Sequence, residues 1–368
     1  MYLSAATQPS ATAVKGYRMI TDFTIENFRC FKQASLEDLR TINIVVGNNA
    51  SGKTALLEGM FLATSSHPSA AGQTRIARAR PMPQVPFFWT KDLFESFWED
   101  LFHNFNRNQV IGARFTDSLH GTVHTEISLS ETNEESIPAS SHWTSIPPLV
   151  FKRIGPKTGD SSIVKLRIDE KGTPIFEGST TPLPACYAIP PGPPFFWQDM
   201  ANFYADLWKK KMEEPVVAAL KREFRDISGV EVSTDATFPV IYVTMHSQKN
   251  RLPLSIVSTG IGRYLNILLA IAQNRNGVVF VDEIENGIYW EKMPNIWKNF
   301  RTLCEEYKVQ LFAATHSNEC LQSLIPAMKE NLDDFSLIRV EVSKGQHILK
   351  QFYGKTFRAA LQQHGEVR

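Results

Sequence analysis

The stretch Gly47-Asn48-Asn49-Ala50-Ser51-Gly52-Lys53-Thr54 decides how this chain is read, because it fits the pattern G-x-x-x-x-G-K-[ST]. Residues 41–46 before it form a short apolar run that reads as a buried strand. Residues 53–64 after it read as a helix with Leu56, Leu57, Met60 and Phe61 on one side. A glycine loop between strand and helix is the setting in which backbone N–H groups surround phosphate oxygens. There Lys53 would neutralise the β- and γ-phosphates and Thr54 would offer its hydroxyl to Mg2+, so the ligands implied are ATP and Mg2+. The plainer alternative, an incidental glycine turn, does not account for the Lys-Thr pair or for the strand-to-helix placement.

Two further segments supply what such a loop needs. Val278-Val279-Phe280-Val281-Asp282-Glu283 is four apolar residues followed by two acids. A buried strand ending there sets the Asp282 carboxylate at the sheet edge, where it can hold the metal's water shell opposite Thr54. Glu283 is then the candidate to orient or deprotonate the attacking water. The competing reading of the two acids is a helix cap after a core strand. Gln310-Leu311-Phe312-Ala313-Ala314-Thr315-His316-Ser317 is a second apolar strand that closes on His316. A helix and a return strand between the two segments would bring the His316 imidazole to the same edge, in reach of the γ-phosphate or the water. Ser258, Thr259 and Gly260 precede an amphipathic helix at 260–274, whose free N–H groups make an anion-binding terminus; alone, they read as a serine cap with a glycine turn.

Apolar strands at 277–282 and 310–314 alternate with helices at 260–274 and 290–307. That alternation implies an α/β fold with a mixed, mainly parallel sheet covered by helices. Strands at 20–28 and 31–36 precede the loop, and strands at 335–342 and 347–353 form a closing hairpin around Lys344-Gly345. Between 65 and 249 the pattern is irregular, with proline clusters at 81–86, 147–148 and 190–194. Strands at 114–115, 123–129, 162–168 and 240–245 and a helix over 195–224 mark this stretch as mixed structure. The expected organisation is a disordered N-terminal tail at 1–18, a head made of 19–64 and 250–368, and an inserted helical and β lobe at 65–249.

Composition excludes several classes. Lys and Arg number 39 against 38 Asp and Glu, a net charge of +1, which gives no global electrostatic case for nucleic acid or membrane. Lys209, Lys210, Lys211, Lys221 and Arg222 could supply local phosphate contacts; Glu213 and Glu214 beside them favour a solvated helix face instead. Cys30, Cys186, Cys304 and Cys320 lack C-x-x-C spacing, which argues against a zinc site or disulfide framework and suits a cytoplasmic setting. No run approaches the roughly 18 apolar residues that span a bilayer. No Asn-Lys-x-Asp motif points to guanine. The aromatic stretch 87–105 places Leu93, Phe94, Phe97, Trp98, Leu101 and Phe102 at helical spacing, which reads as core packing.

The order of these motifs resembles the ABC-type (SMC-like) P-loop ATPases, in particular the branch holding RecF, the SMC proteins and the OLD (overcoming lysogenization defect) family. Ile25-Glu26-Asn27-Phe28-Arg29 is similar to the opening strand of that branch, and Asp282-Glu283-Ile284-Glu285-Asn286-Gly287 to its extended Walker B motif and D-loop. Ser258-Thr259-Gly260 resembles a degenerate signature motif, Thr315-His316-Ser317 the switch histidine, and Gly365-Glu366-Val367-Arg368 the closing residues of many OLD-like ATPases.

The resemblance implies two heads sandwiching two ATPs, with Ser258, Thr259 and Gly260 reaching the γ-phosphate held by the partner and Asn286 and Gly287 at the seam. Hydrolysis would then depend on association. The chain departs from the pattern in lacking Leu-Ser-Gly-Gly-Gln, heptad arms and an acidic nuclease cluster after His316; Gln73 and Gln109 are Q-loop candidates by position only. Stand-alone ATPase subunits of phage-defence systems of the Septu and PARIS type are similar. By that resemblance the partners are a second copy of the chain, in a homodimer or higher homo-oligomer, and a separate effector protein such as a nuclease. A RecF-like DNA-binding repair ATPase and a non-hydrolysing assembly scaffold are the alternatives, and the presence of Glu283 speaks against the scaffold.

Overall fold

A computed structural model describes residues 20–65, 67–77, 95–96, 98–117, 121–130, 147–155, 161–168, 174–180, 183–191, 197–235, 238–328 and 331–363. The tail 1–18, the closing residues 365–368, and Leu93, Phe94 and Phe97 lie outside the described residues. The first half of the chain runs through β1 (Ile20–Phe28), β2 (Phe31–Leu36), β3 (Ile42–Val46), α1 (Lys53–Thr64), α2 (Ser69–Ala77), β4 (Ile111–Asp117), β5 (Gly121–Leu129), β6 (Leu149–Ile154), β7 (Ser161–Ile168), β8 (Pro174–Gly178) and β9 (Cys186–Ile189). There follow α3 (Trp197–Lys209), α4 (Glu214–Glu223), β10 (Ile227–Asp235), β11 (Phe238–Met245), β12 (Leu252–Pro253), α5 (Leu254–Val257), α6 (Thr259–Gln273) and β13 (Val278–Val281). The chain closes with α7 (Met293–Tyr307), β14 (Gln310–Ala314), α8 (Asn318–Gln322), α9 (Leu324–Met328), β15 (Phe335–Ser343), β16 (Gln346–Tyr353) and α10 (Gly354–Gln363).

The apolar runs that precede each motif become neighbours in one six-stranded sheet of order β16-β15-β3-β14-β13-β9. From β15 to β9 every pairing is parallel, and only β16 runs antiparallel, as the last arm of a hairpin. Parallel strands bury both faces, and the period of two sorts their side chains accordingly. Val45, Val278, Phe280, Phe312 and Ala314 face α1, whereas Ile44, Val46, Val279, Val281, Leu311 and Ala313 face the layer of α3, α4, α6 and α7.

The second layer of strands explains a difference at α1. Its apolar residues were expected on one side, yet the helix is buried all round from Ala55 to Thr64. It is enclosed because a seven-stranded antiparallel sheet, β2-β1-β4-β5-β6-β7-β8, covers the side away from the parallel sheet. The inserted stretch supplies five of those strands and also β9, which pairs parallel to β13.

Two other elements differ from expectation. The helix expected over 195–224 is two helices, α3 and α4, because Lys211 turns left-handed at φ 56° and Pro215 has no N–H for a helix interior but suits a helix start. The aromatic stretch is helical at 95–96 and 98 and then breaks into 3-10 turns at Glu99–Leu101 and His103–Phe105; its Trp98, Leu101 and Phe102 are buried in the core as expected, and Phe102 is bridged to Phe28.

Candidate nucleotide site

β3 lies in the middle of the parallel sheet, and the glycine loop leaves its C-terminal end. Gly47 has φ 148°, Ala50 61° and Gly52 109°, so the loop turns through backbone that L-residues rarely adopt. A β-carbon on Gly47 would stand 2.3 Å from the Val340 carbonyl oxygen of β15, which requires glycine there. The Lys53 ammonium donates to the carbonyls of Gly47 (2.7 Å) and Asn48 (3.0 Å), folding over the loop. Burial lowers its pKa, against the opposing pull of Asp282, Glu285 and Glu283. The Ser51 hydroxyl is buried without a partner among the described residues, the kind of orphan donor that a phosphate oxygen satisfies.

Thr54, on the first turn of α1, donates its hydroxyl to Asp282 Oδ2 at 2.6 Å. Asp282 follows β13, and its other oxygen accepts the Glu283 N–H at 3.0 Å. Glu283 is left-handed at φ 47° and takes a 3.5 Å contact from Asn286 Nδ2 on its carboxylate. β14 separates β3 from β13, so the strand carrying His316 ends between the other two motifs. His316 is tied to the turn after β13 by Glu285, whose Oε1 accepts the His316 N–H at 3.2 Å and lies 3.4 Å from Nδ1.

Arg263, which sequence reasoning passed over, holds this corner together. It is 2% exposed, on α6, and donates to the carbonyls of Pro190 (2.8 Å), Asp282 and Glu283 (3.3 Å). Burial lowers its pKa to about 10 while Asp282, Glu283 and Glu285 pull the other way. Its signal in the sequence was a single charge inside the apolar run of α6. Glu285 and His347, whose Nδ1 lies 2.6 Å from the Ser51 carbonyl, were also not singled out as site residues.

Ser258 caps α6, its hydroxyl accepting the Ile261 N–H at 3.4 Å. Gly260 packs on Gly287, where a β-carbon would meet the Gly287 carbonyl at 1.9 Å. Thr259 and Gly260 are thus brought against Gly287 of their own chain, with Ser258 just before them at the start of α6. A cavity of about 480 Å³ adjoins the Thr54–Asp282 pair, with Gln73, Pro190 and Pro191 also among its lining residues; Gln109 lies elsewhere, exposed before β4. Of the basic residues, Lys210 pairs with Asp206 (2.7 Å) and Arg222 donates to Asn299 (2.7 Å), while Lys209 and Lys211 are exposed.

Among the described residues no group of three or more His, Cys, Asp or Glu could hold a metal ion. One hydroxyl bonded to one carboxylate beside a phosphate loop instead fits Mg2+, which keeps waters and phosphate oxygens as its other ligands.

A glycine loop on a central parallel strand, with a hydroxyl and a carboxylate joined across the sheet's C-terminal edge, defines an α/β P-loop ATPase fold. Residues 19–146 match the family model described as "AAA ATPase domain", and residues 199–321 match the one described as "AAA domain, putative AbiEii toxin, Type IV TA system". The chain is similar to an "ATP/GTP phosphatase" of Helicobacter pylori, 22% identical over 341 residues that span 85% of this chain and 89% of that protein. Similar solved structures include an SMC head bound to the C-winged helix domain of ScpA, at TM-score 0.47 and 12% identity, covering 91% of this chain and 98% of that one. The SMC head domain from Thermotoga maritima compares at TM-score 0.43 and 12% identity, with 91% and 99% covered.

Proposed function

We propose that the chain binds ATP with Mg2+ and hydrolyses it, that two copies associate on ATP, and that the resulting switch controls a separate effector protein, as in phage-defence ATPases of the OLD type. The observation that carries the reading is the 2.6 Å hydrogen bond from Thr54 to Asp282 beneath a loop whose lysine donates to the Gly47 and Asn48 carbonyls. In this reading Gly47 to Thr54 cradle the phosphates, and Thr54 and Asp282 hold the metal. Mg2+, when bound, supplies charge neutralisation for the phosphates. Lys53 turns from the loop carbonyls to the phosphate oxygens. Glu283 orients the water and takes its proton, and His316 sits across from it through Glu285. Both family matches are to ATPase-type domains, and the name of the Helicobacter relative makes GTP the first competing substrate to try. For association, the exposed Ile256, Tyr289 and Trp290 flank the Gly260–Gly287 contact in sequence and offer an apolar rim.

Phosphate release by the full chain tests this. The wild type is expected to hydrolyse ATP in Mg2+ and to stop in excess EDTA. Glu283→Gln is expected to lose turnover by about 10²- to 10⁴-fold, the range of a general base, while still binding ATP and accumulating as a dimer in size-exclusion chromatography. Wild-type turnover in Glu283→Gln would remove Glu283 from its role, and a monomer with bound ATP in both proteins would remove the association.

A further inference from the structure

The closing hairpin backs the phosphate loop at both ends. At one end Gly47 is seated on the Val340 carbonyl of β15, where a β-carbon would come within 2.3 Å. At the other, His347 on β16 brings Nδ1 to 2.6 Å from the Ser51 carbonyl oxygen. A carbonyl only accepts, so Nδ1 carries the proton and donates, which fixes the ring's tautomer. The ring is also held edge-on by Phe31, with centroids 5.7 Å apart. β16 is clamped to the end of β2, because the Gln351 side chain accepts from the Glu37 N–H at 3.0 Å and donates to its carbonyl at 2.9 Å. The Tyr353 hydroxyl donates to the same carbonyl.

In a trans peptide the C=O and the following N–H point in opposite directions, and no peptide bond among the described residues is cis. The bond from His347 to the Ser51 carbonyl therefore turns the Gly52 N–H to the opposite side of the loop. That N–H belongs to the group of donors at the start of α1 that a phosphate oxygen would use. The neighbourhood leaves little slack for another arrangement, since a β-carbon on Gly52 would lie 2.8 Å from Cys30 Sγ and 3.4 Å from His347 Nδ1.

We propose that His347 is a positioning residue of the nucleotide site: by holding the Ser51 carbonyl outward it presents the Gly52 N–H to the phosphates. This rests on the ATP reading above and adds to it a residue from a distant strand, so that whatever moves the hairpin also changes nucleotide affinity. A side chain that merely filled space between Phe31 and the loop would be replaceable by phenylalanine.

The test is calorimetric titration of the full chain with ATP in Mg2+, for the wild type, Lys53→Ala, His347→Phe and His347→Asn, with steady-state kcat and KM alongside and thermal unfolding to confirm folding. His347→Phe keeps the packing and removes the donor, and its ATP affinity is expected to fall about tenfold, as for loss of one hydrogen bond. His347→Asn places an amide N–H near the position of Nδ1 and is expected to stay within about threefold of the wild type. Saturating kcat is expected to change less than about twofold in both, the effect falling on KM. Wild-type affinity in His347→Phe, or equal weakening in the Asn and Phe variants, overturns the role. If Lys53→Ala binds ATP as the wild type does, the ATP site itself is overturned; if only His347→Phe does, the site stands and the positioning role fails.

Discussion

At the scale of single residues, Arg263 carries the largest consequence. A guanidinium buried to 2% exposure against three backbone carbonyls, with no carboxylate in a salt bridge to it among the described residues, is an expensive arrangement unless those carbonyls need holding. Two of them belong to Asp282 and Glu283, and the second of these residues is kept left-handed at φ 47°. Such backbone costs on the order of 1–3 kcal/mol and persists where surrounding bonds enforce it. Arg263→Met, which keeps the volume and removes the donors, is expected to lower kcat by about 10- to 100-fold with a smaller change in ATP affinity. It is also expected to lower stability by about 1–3 kcal/mol, since the Pro190 and Asp282 carbonyls lose their Arg263 donors while the Glu283 carbonyl keeps the Asn286 N–H at 3.0 Å. Steady-state kinetics and urea unfolding read the two effects, and an unchanged kcat would show that Glu283 holds its position without Arg263.

At the scale of elements, the two packed turns around Gly260 and the open face of α2 make opposite expectations. Gly260→Ala drives a methyl into the Gly287 carbonyl and is expected to destabilise the fold by about 1–3 kcal/mol while displacing the turn at Gly287. Gly72, inside α2 with nothing among the described residues within 4 Å of its would-be β-carbon, is the control, and Gly72→Ala is expected to stabilise by about 0.4–1 kcal/mol. Chemical denaturation of both variants measures the difference; equal effects would mean that the Gly260–Gly287 approach is not a constraint.

The elements also show what the sequence made legible. The strand-loop-helix at Gly47 to Thr54 and the apolar runs before Asp282 and His316 were readable because a buried parallel strand needs unbroken apolar residues and a motif at its end. The closing hairpin was readable from Lys344-Gly345, both left-handed in the structure. Harder to see were contacts between distant strands: β9 beside β13 starts among prolines, and His347 reaches Ser51 across 296 positions. Arg263 looked like a stray charge because its partners are backbone carbonyls, which leave no mark on residue type.

At the scale of the whole molecule, two sheets enclose α1, and a helical layer packs against the far side of the parallel sheet. On the proposed function, one edge of the parallel sheet, the C-terminal ends of β3, β14 and β13, carries the chemistry, as in open α/β sheets. The seven-stranded sheet backs the glycine loop through β2 and the hairpin, while α6 reaches the same edge through Arg263. On that proposal, binding at the edge would be connected to the hairpin on one side and to the Ser258–Gly260 turn on the other, a layout suited to a nucleotide-controlled switch.

The most direct test of a triphosphate site at that edge is the affinity of the full chain for ATP in Mg2+, measured for the wild type and for Lys53→Ala. The expected result is wild-type binding that falls by about 100-fold or more in the variant, as removal of a charge-assisted phosphate contact implies. Equal affinity in the two proteins would contradict it.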